Sequence, residues 1–93
     1  MLVMAVSTSP EALGRMAQNI RSFIEMQNQL ITSLKRDYDS VGAEWNDPKY
    51  REFGAKLTST TTSIQRTEPE LQELIAKLME LQRKLEDYLS TSV

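Results

Sequence analysis

Apolar residues return at alternating steps of four and three through nearly the whole of this 93-residue chain. Leu13, Ala17, Ile20, Ile24, Gln27, Ile31, Leu34, Tyr38, Val41 and Trp45 form one series, in which Gln27 alone is polar. Tyr50, Phe53, Leu57, Thr60, Ile64, Thr67, Leu71, Leu74, Leu78, Leu81, Leu85 and Tyr88 form a second, which keeps its phase to the end. A spacing of about 3.5 residues belongs to helices that pack side chains into holes between the side chains of a neighbour. The pattern therefore predicts an all-α chain of two long helical arms.

The signals between and before the stripes set the boundaries. Residues 1–8 read as a disordered or extended N-terminal segment, and 9–91 as one helical-hairpin domain. Its first helix spans 9–43. Either Thr8 caps it with Glu11 reaching back, or Ser9 caps it with Pro10 in the first turn. Gly42 suits its end, and 44–47 form the turn. Asp47 followed by Pro48 is a helix start, a carboxylate that accepts from free amides and a ring with no amide to lose. The second helix spans 48–91. A connector this short makes the two arms antiparallel neighbours.

The second arm carries one irregularity. Thr58-Ser59-Thr60-Thr61-Thr62-Ser63 is poor helix material, because hydroxyl and β-branched side chains disfavour the helix. Pro69 then removes the hydrogen bond back to Gln65. Thr67 with Glu70 has the spacing of a capping box that would restart a helix. The uninterrupted hydrophobic phase favours a kink near 67–69 in a continuous helix, with a break as the alternative. Folding about the turn sets Gln27 opposite Thr67–Pro69. Either its amide serves backbone groups freed at the kink, or it fixes register as a buried polar residue.

The stripes are too wide for two helices. Met16, Phe23 and Leu30 widen the first, and Ile75 and Leu89 the second. A helix facing one partner shows about two apolar positions in seven, and a helix in a bundle about three. These flanking residues are the expected dimer interface of a four-helix bundle built from two hairpins. A three-helix monomer broken at Thr67–Pro69 is the alternative.

Composition closes other routes. The chain has no Cys and no His, which removes thiolate chemistry, the commonest metal ligand and the side chain that titrates near neutral pH. Every Asp and Glu falls outside the inward positions of this register. No catalytic residue, metal site or cofactor is expected, and the chain does not read as an enzyme. Eleven Lys+Arg against thirteen Asp+Glu give a net charge of −2, without the basic stripe of a nucleic-acid surface. The apolar run Met1–Val6 is too short for a signal peptide or a membrane span. Glu52–Lys56, Glu73–Lys77 and Glu80–Lys84 are helix-surface pairs worth about 0.3 kcal/mol each.

Trp45, Asp47, Pro48, Tyr50 and Phe53 are the informative cluster. Trp45 is the single Trp of the chain and stands in the bend. It either plugs the end of a bundle or offers an anchor to a partner, a role for which Trp and Tyr are favoured. At this cluster the chain resembles the Trp-x-Gly family of small helical hairpins, the early-secreted-antigen-like substrates of type VII secretion. Trp45 in the bend, Phe53 eight positions later, the chain length and the two stripes carry the resemblance. Asp47 stands where the family has Gly, and Tyr88 is followed four residues later by Ser92 in place of an acidic residue.

The resemblance implies a dimer, homomeric or with a related hairpin, that acts as secreted substrate, chaperone or adaptor. The partner would be a larger secreted effector or the secretion apparatus, with Trp45 taking part in recognition. It also implies a protein that is cytoplasmic before export without a signal peptide. A filament subunit similar to a type III secretion needle protein is the alternative, since Asp47-Pro48 resembles the turn of those hairpins. A purely structural oligomerisation module is another.

Overall fold

The computed structural model describes residues 8–91. Three α-helices follow one another: α1, Pro10–Gly42; α2, Pro48–Gln65; and α3, Glu68–Thr91. No strand occurs among the described residues, as the stripes predict. Residues 1–7 of the expected N-terminal segment lie outside the described residues. The chain divides into two compact units, one of Met1–Phe23 with Glu70–Val93 and one of Ile24–Pro69.

Local chemistry explains each helix end. At the start of α1 the Ser9 hydroxyl accepts from the Ala12 amide at 3.2 Å, and Pro10 occupies the first turn. Of the two caps the sequence allows, the structure uses Ser9 with Pro10. At the other end the amides of Ala43 and Trp45 reach back to Asp39 and Val41 at 3.1 and 2.9 Å. Gly42 does end α1, but without a left-handed conformation, for no glycine here has positive φ. Its role is spatial: a Cβ there would lie 3.2 Å from the Tyr50 ring. Asp47 caps α2 from extended backbone at φ −111°, ψ 172°, accepting the Tyr50 amide, with Pro48 following.

The hydroxyl-rich stretch of α2 is helical throughout. Thr61, 2% exposed, donates to the Leu57 carbonyl at 2.9 Å, so its buried oxygen has a partner inside its own helix. The second arm bends at Arg66–Thr67. There the ladder tightens: Arg66 still reaches Thr62 at 3.0 Å, but Thr67 reaches Ile64, three residues back, at 3.0 Å. Pro69 becomes the second residue of α3, where an amide would have no partner within the helix. The bend costs little for that reason. The Thr67 hydroxyl donates to the Ile64 carbonyl at 2.6 Å, where a capping box would have it accept from the first turn of α3.

Within the Ile24–Pro69 unit, α1 and α2 pair antiparallel. Ile24 and Ile31 of α1 are buried, as are Gly54 and Thr61 of α2, with Tyr38, Tyr50 and Leu57 half-buried beside them. Within the other unit, Ala17 of α1 and Ile75 of α3 are buried, and Leu71, Leu78, Gln82 and Leu85 are half-buried. The inward positions of the second arm are therefore the expected Tyr50, Leu57, Leu71, Leu78 and Leu85, with intervening positions one residue later than expected. Gly54, Thr61, Glu68, Ile75 and Gln82 turn inward; Phe53, Thr60, Ile64, Thr67, Leu74, Leu81 and Tyr88 are exposed. Hydropathy favours Phe53, Leu74 and Leu81, but close helix approach favours Gly54 and Thr61.

Two expectations are corrected by this register. Ile75, assigned to the dimer interface, is 4% exposed and belongs to the core of the chain itself. Glu68, expected on the surface with every other acid, is half-buried and accepts from the Asn28 side-chain amide at 3.1 Å. A lone carboxylate facing a helix partner needs such a donor, and Asn28 is the residue beside Gln27.

Candidate functional site

The bend of the Ile24–Pro69 unit is organised around Asp47. One carboxylate oxygen accepts the Tyr50 amide at 2.8 Å, and the other accepts the Trp45 indole N–H at 2.9 Å. A single side chain therefore caps α2 and holds the indole. Trp45 lies over Tyr50, with ring centroids 5.6 Å apart, and remains 57% exposed. Its polar edge is satisfied and one face is covered, so what it shows to solvent is mainly apolar ring. A ring plugging the end of a helix pair would be buried, and this one is displayed.

Beneath Trp45, Tyr38 and Tyr50 lock α1 to α2. Their rings stack at 4.5 Å and 11°. The Tyr50 hydroxyl donates to the Tyr38 carbonyl at 2.6 Å, and the Tyr38 hydroxyl donates to the Tyr50 carbonyl at 3.3 Å. Desolvation beside the stack comes first, with the charges of Tyr38 and Asp39 after it, in pushing the Tyr50 phenol above its ordinary value of 10.0. It stays a protonated donor across the neutral range. Phe53 extends the cluster, 6.2 Å from both tyrosines. Gly54 makes room for it, since a Cβ there would overlap the hydroxyl and ring of Tyr38.

One side of this cluster forms an apolar hole of about 270 Å³. Leu34, Asp37, Tyr38 and Val41 of α1 frame it, with Tyr50, Phe53 and Leu57 of α2 completing the wall. Asp37 is the one charged residue of the lining. Leu34, Val41 and Phe53, all exposed, meet at this hole, and Leu30 lies one turn before Leu34 on α1.

Gln27, Thr67 and Pro69 stand further along the same unit. The Gln27 amide donates to the Ile64 carbonyl at 3.3 Å, the acceptor that also takes the Thr67 amide and hydroxyl. The side chain does serve backbone at the bend. Its acceptor is Ile64, where the ladder tightens, and not Gln65, which loses its bond to Pro69.

The other unit has a simpler surface. Met16 and Phe23 of α1 and Leu74, Leu81, Tyr88 and Leu89 of α3 are exposed. On the opposite flank of the pair the Arg21 guanidinium donates to the Met79 sulfur at 3.3 Å. A Cβ at Gly14 would meet only the end of the Gln82 side chain, at 3.1 Å, which is free to shift. Glu80–Lys84, at 3.7 Å, is the one expected surface pair that forms an ion pair among the described residues.

Trp45, Asp47, Pro48, Tyr50 and Phe53, the cluster the sequence singles out, lie together at this turn. The second role of Asp47, the reciprocal Tyr38–Tyr50 bonds, the need for Gly54, and Asn28 with Glu68 are not apparent from the sequence. The signal for Gly54 lay in its spacing, for it falls opposite Tyr38 once the chain folds about the turn. Among the described residues no cluster of acidic side chains is arranged to hold a metal ion, and no buried side-chain polar atom lacks a partner. No helix among them is long and apolar enough to cross a membrane. No protein-family model, curated protein or solved structure matches the chain.

Proposed function

We propose that this chain is a non-enzymatic interaction protein that works as a self-associating helical hairpin. The observation that carries this reading is the imbalance between its two sets of apolar residues. Ala17, Ile24, Ile31 and Ile75 are buried, while Met16, Phe23, Leu30, Leu34, Val41, Phe53, Leu74, Leu81 and Tyr88 are exposed. Along α1 and α3 these residues recur at four-residue steps or at seven, as a second packing face does, with Met26, Ile64, Met79 and Leu89 exposed as well.

A second hairpin laid on these faces gives a four-helix bundle, either from a second copy or from a related chain. Trp45, displayed at the bend by Asp47 and Tyr50, is then the anchor for a further partner. With its resemblance to the Trp-x-Gly hairpins, this supports a role as secreted substrate, chaperone or adaptor of a larger effector. Sedimentation equilibrium is the direct test. A species of twice the chain mass supports the closed bundle, open-ended growth supports the filament subunit, and a monomer at all concentrations contradicts both. For Trp45, a folded, dimeric Trp45→Ala variant that no longer captures a partner held by the wild type supports the anchor.

A further inference from the structure

The apolar hole at the bend has the form that one helix of a coiled coil offers to another. Leu34, Asp37, Tyr38 and Val41 stand at i, i+3, i+4 and i+7 on α1, the four-residue frame that receives a knob from a facing helix. Phe53 and Leu57 close the frame from α2, and about 270 Å³ stays open to solvent. Asp37 makes no ion pair or side-chain hydrogen bond among the described residues. A side chain suited to this hole is large and apolar, with a cation about one helical turn away to meet Asp37.

The exposed line of α3 has that pattern and the exposed line of α1 does not. Leu74, Leu81 and Tyr88 alternate with Lys77 and Lys84, so that Leu81 has a lysine four residues before it and three after it. Met16, Phe23 and Leu30 have no Lys or Arg three or four residues away. Phe53 has Lys49 and Lys56 at such spacings, but it is itself a wall of the hole. Leu81 is 53% exposed, so its own chain leaves it uncovered. Lys84 touches Glu80 at 3.7 Å with both side chains mostly in solvent, a contact it exchanges at little cost.

We propose that two copies of this chain pair with α3 of each seated on the bend of the other, Leu81 filling the hole and Lys84 meeting Asp37. Made reciprocally, the contact closes a two-fold pair and ends there. The inference rests on the self-association proposed above and adds its orientation. Tyr88 and Leu74 continue the same line to either side of Leu81, and Lys77 provides a second cation near Asp37.

The absence of Cys makes a clean test possible. Asp37→Cys and Lys84→Cys variants are mixed and oxidised, and the products are separated by mass. The expected main product is the disulfide between position 37 of one chain and position 84 of the other. A predominance of 37–37 or 84–84 links, or no link in a sample that sediments as a pair, overturns the orientation. In parallel, Asp37→Lys and Lys84→Asp are each expected to weaken pairing about tenfold, and their combination in one chain to restore it. Single variants that pair as tightly as the wild type overturn the Asp37–Lys84 contact. A wild type that stays monomeric at every concentration overturns the self-association itself, a separate failure from a pair linked in another orientation.

Discussion

The two units of this chain hold their helices together by different means. At the bend, in Ile24–Pro69, aromatic rings stack, side chains bond to backbone across the pair, and one carboxylate serves two groups. In the unit that joins the start of α1 to α3, contact rests on Ala17, Ile75 and a row of leucines, with Arg21–Met79 as a cross-helix side-chain hydrogen bond. Hydrogen bonds and ring stacks are directional, whereas leucine contacts tolerate shifts along the helix. The bend therefore fixes which residue faces which, and the other unit contributes cohesion and the larger share of α3's uncovered apolar surface.

Substitutions at the tightest point of each unit should separate these roles most sharply. Gly54→Ala drives a methyl into Tyr38 and is expected to cost about 3 kcal/mol, as overpacking does at its upper range. Ile75→Ala leaves a void in the other unit and is expected to cost about the same. The two should differ in kind under chemical denaturation with near-UV circular dichroism. Gly54→Ala should lose the aromatic signal of the bend, and Ile75→Ala should keep it until the chain unfolds. An unchanged aromatic signal in Gly54→Ala would show that the ring stack does not depend on the space Gly54 leaves. Leu81→Ala, by contrast, should hardly change the stability of the isolated chain and should weaken pairing.

A smaller effect is expected at Asp47. Asp47→Ala removes the cap of α2 and should lower stability by about 1 kcal/mol. It also frees the indole, so the fluorescence of the single Trp should report a more mobile, more hydrated ring. Asp47→Asn keeps an acceptor for the Tyr50 amide and should recover most of the stability. If both variants match the wild type in melting and emission, the double role of Asp47 is wrong.

The mildest prediction concerns pH. The folded-state value of Tyr50 lies above that of the unfolded chain, so its contribution to stability is complete below pH 10.0 and is lost as pH rises through the folded value. Thermal melts should decline above pH 10.0, more steeply in the wild type than in Tyr50→Phe, which has no phenol to titrate. A parallel decline in the two would remove Tyr50 as the source.

The sequence disclosed the fold more fully than the faces. Periodicity identified the helical arms, and Asp47-Pro48 and Ser9-Pro10 marked two of their starts, because caps act within a few residues of themselves. The choice between Phe53 and Gly54, or Leu74 and Ile75, depended on how closely the facing helix approaches. Hydropathy ranks Phe53 above Gly54, yet the Tyr38 ring needs the space that only glycine leaves. Gln27 was legible as a polar residue facing the bend, but the displaced carbonyl was Ile64, since Pro69 came to rest in the first turn of α3. Asn28–Glu68 stayed hidden because a pair 40 residues apart declares itself only when the register is known.

Pairing, as proposed, has a second chain cover the apolar faces this chain leaves open. Thermal unfolding followed over a hundredfold range of protein concentration tests it most directly, because pairing stabilises the folded state by mass action. If the chains pair, the midpoint climbs steadily with concentration in the wild type and flattens in Leu81→Ala. A wild-type midpoint that is the same at every concentration, with a monomer in sedimentation, would contradict it.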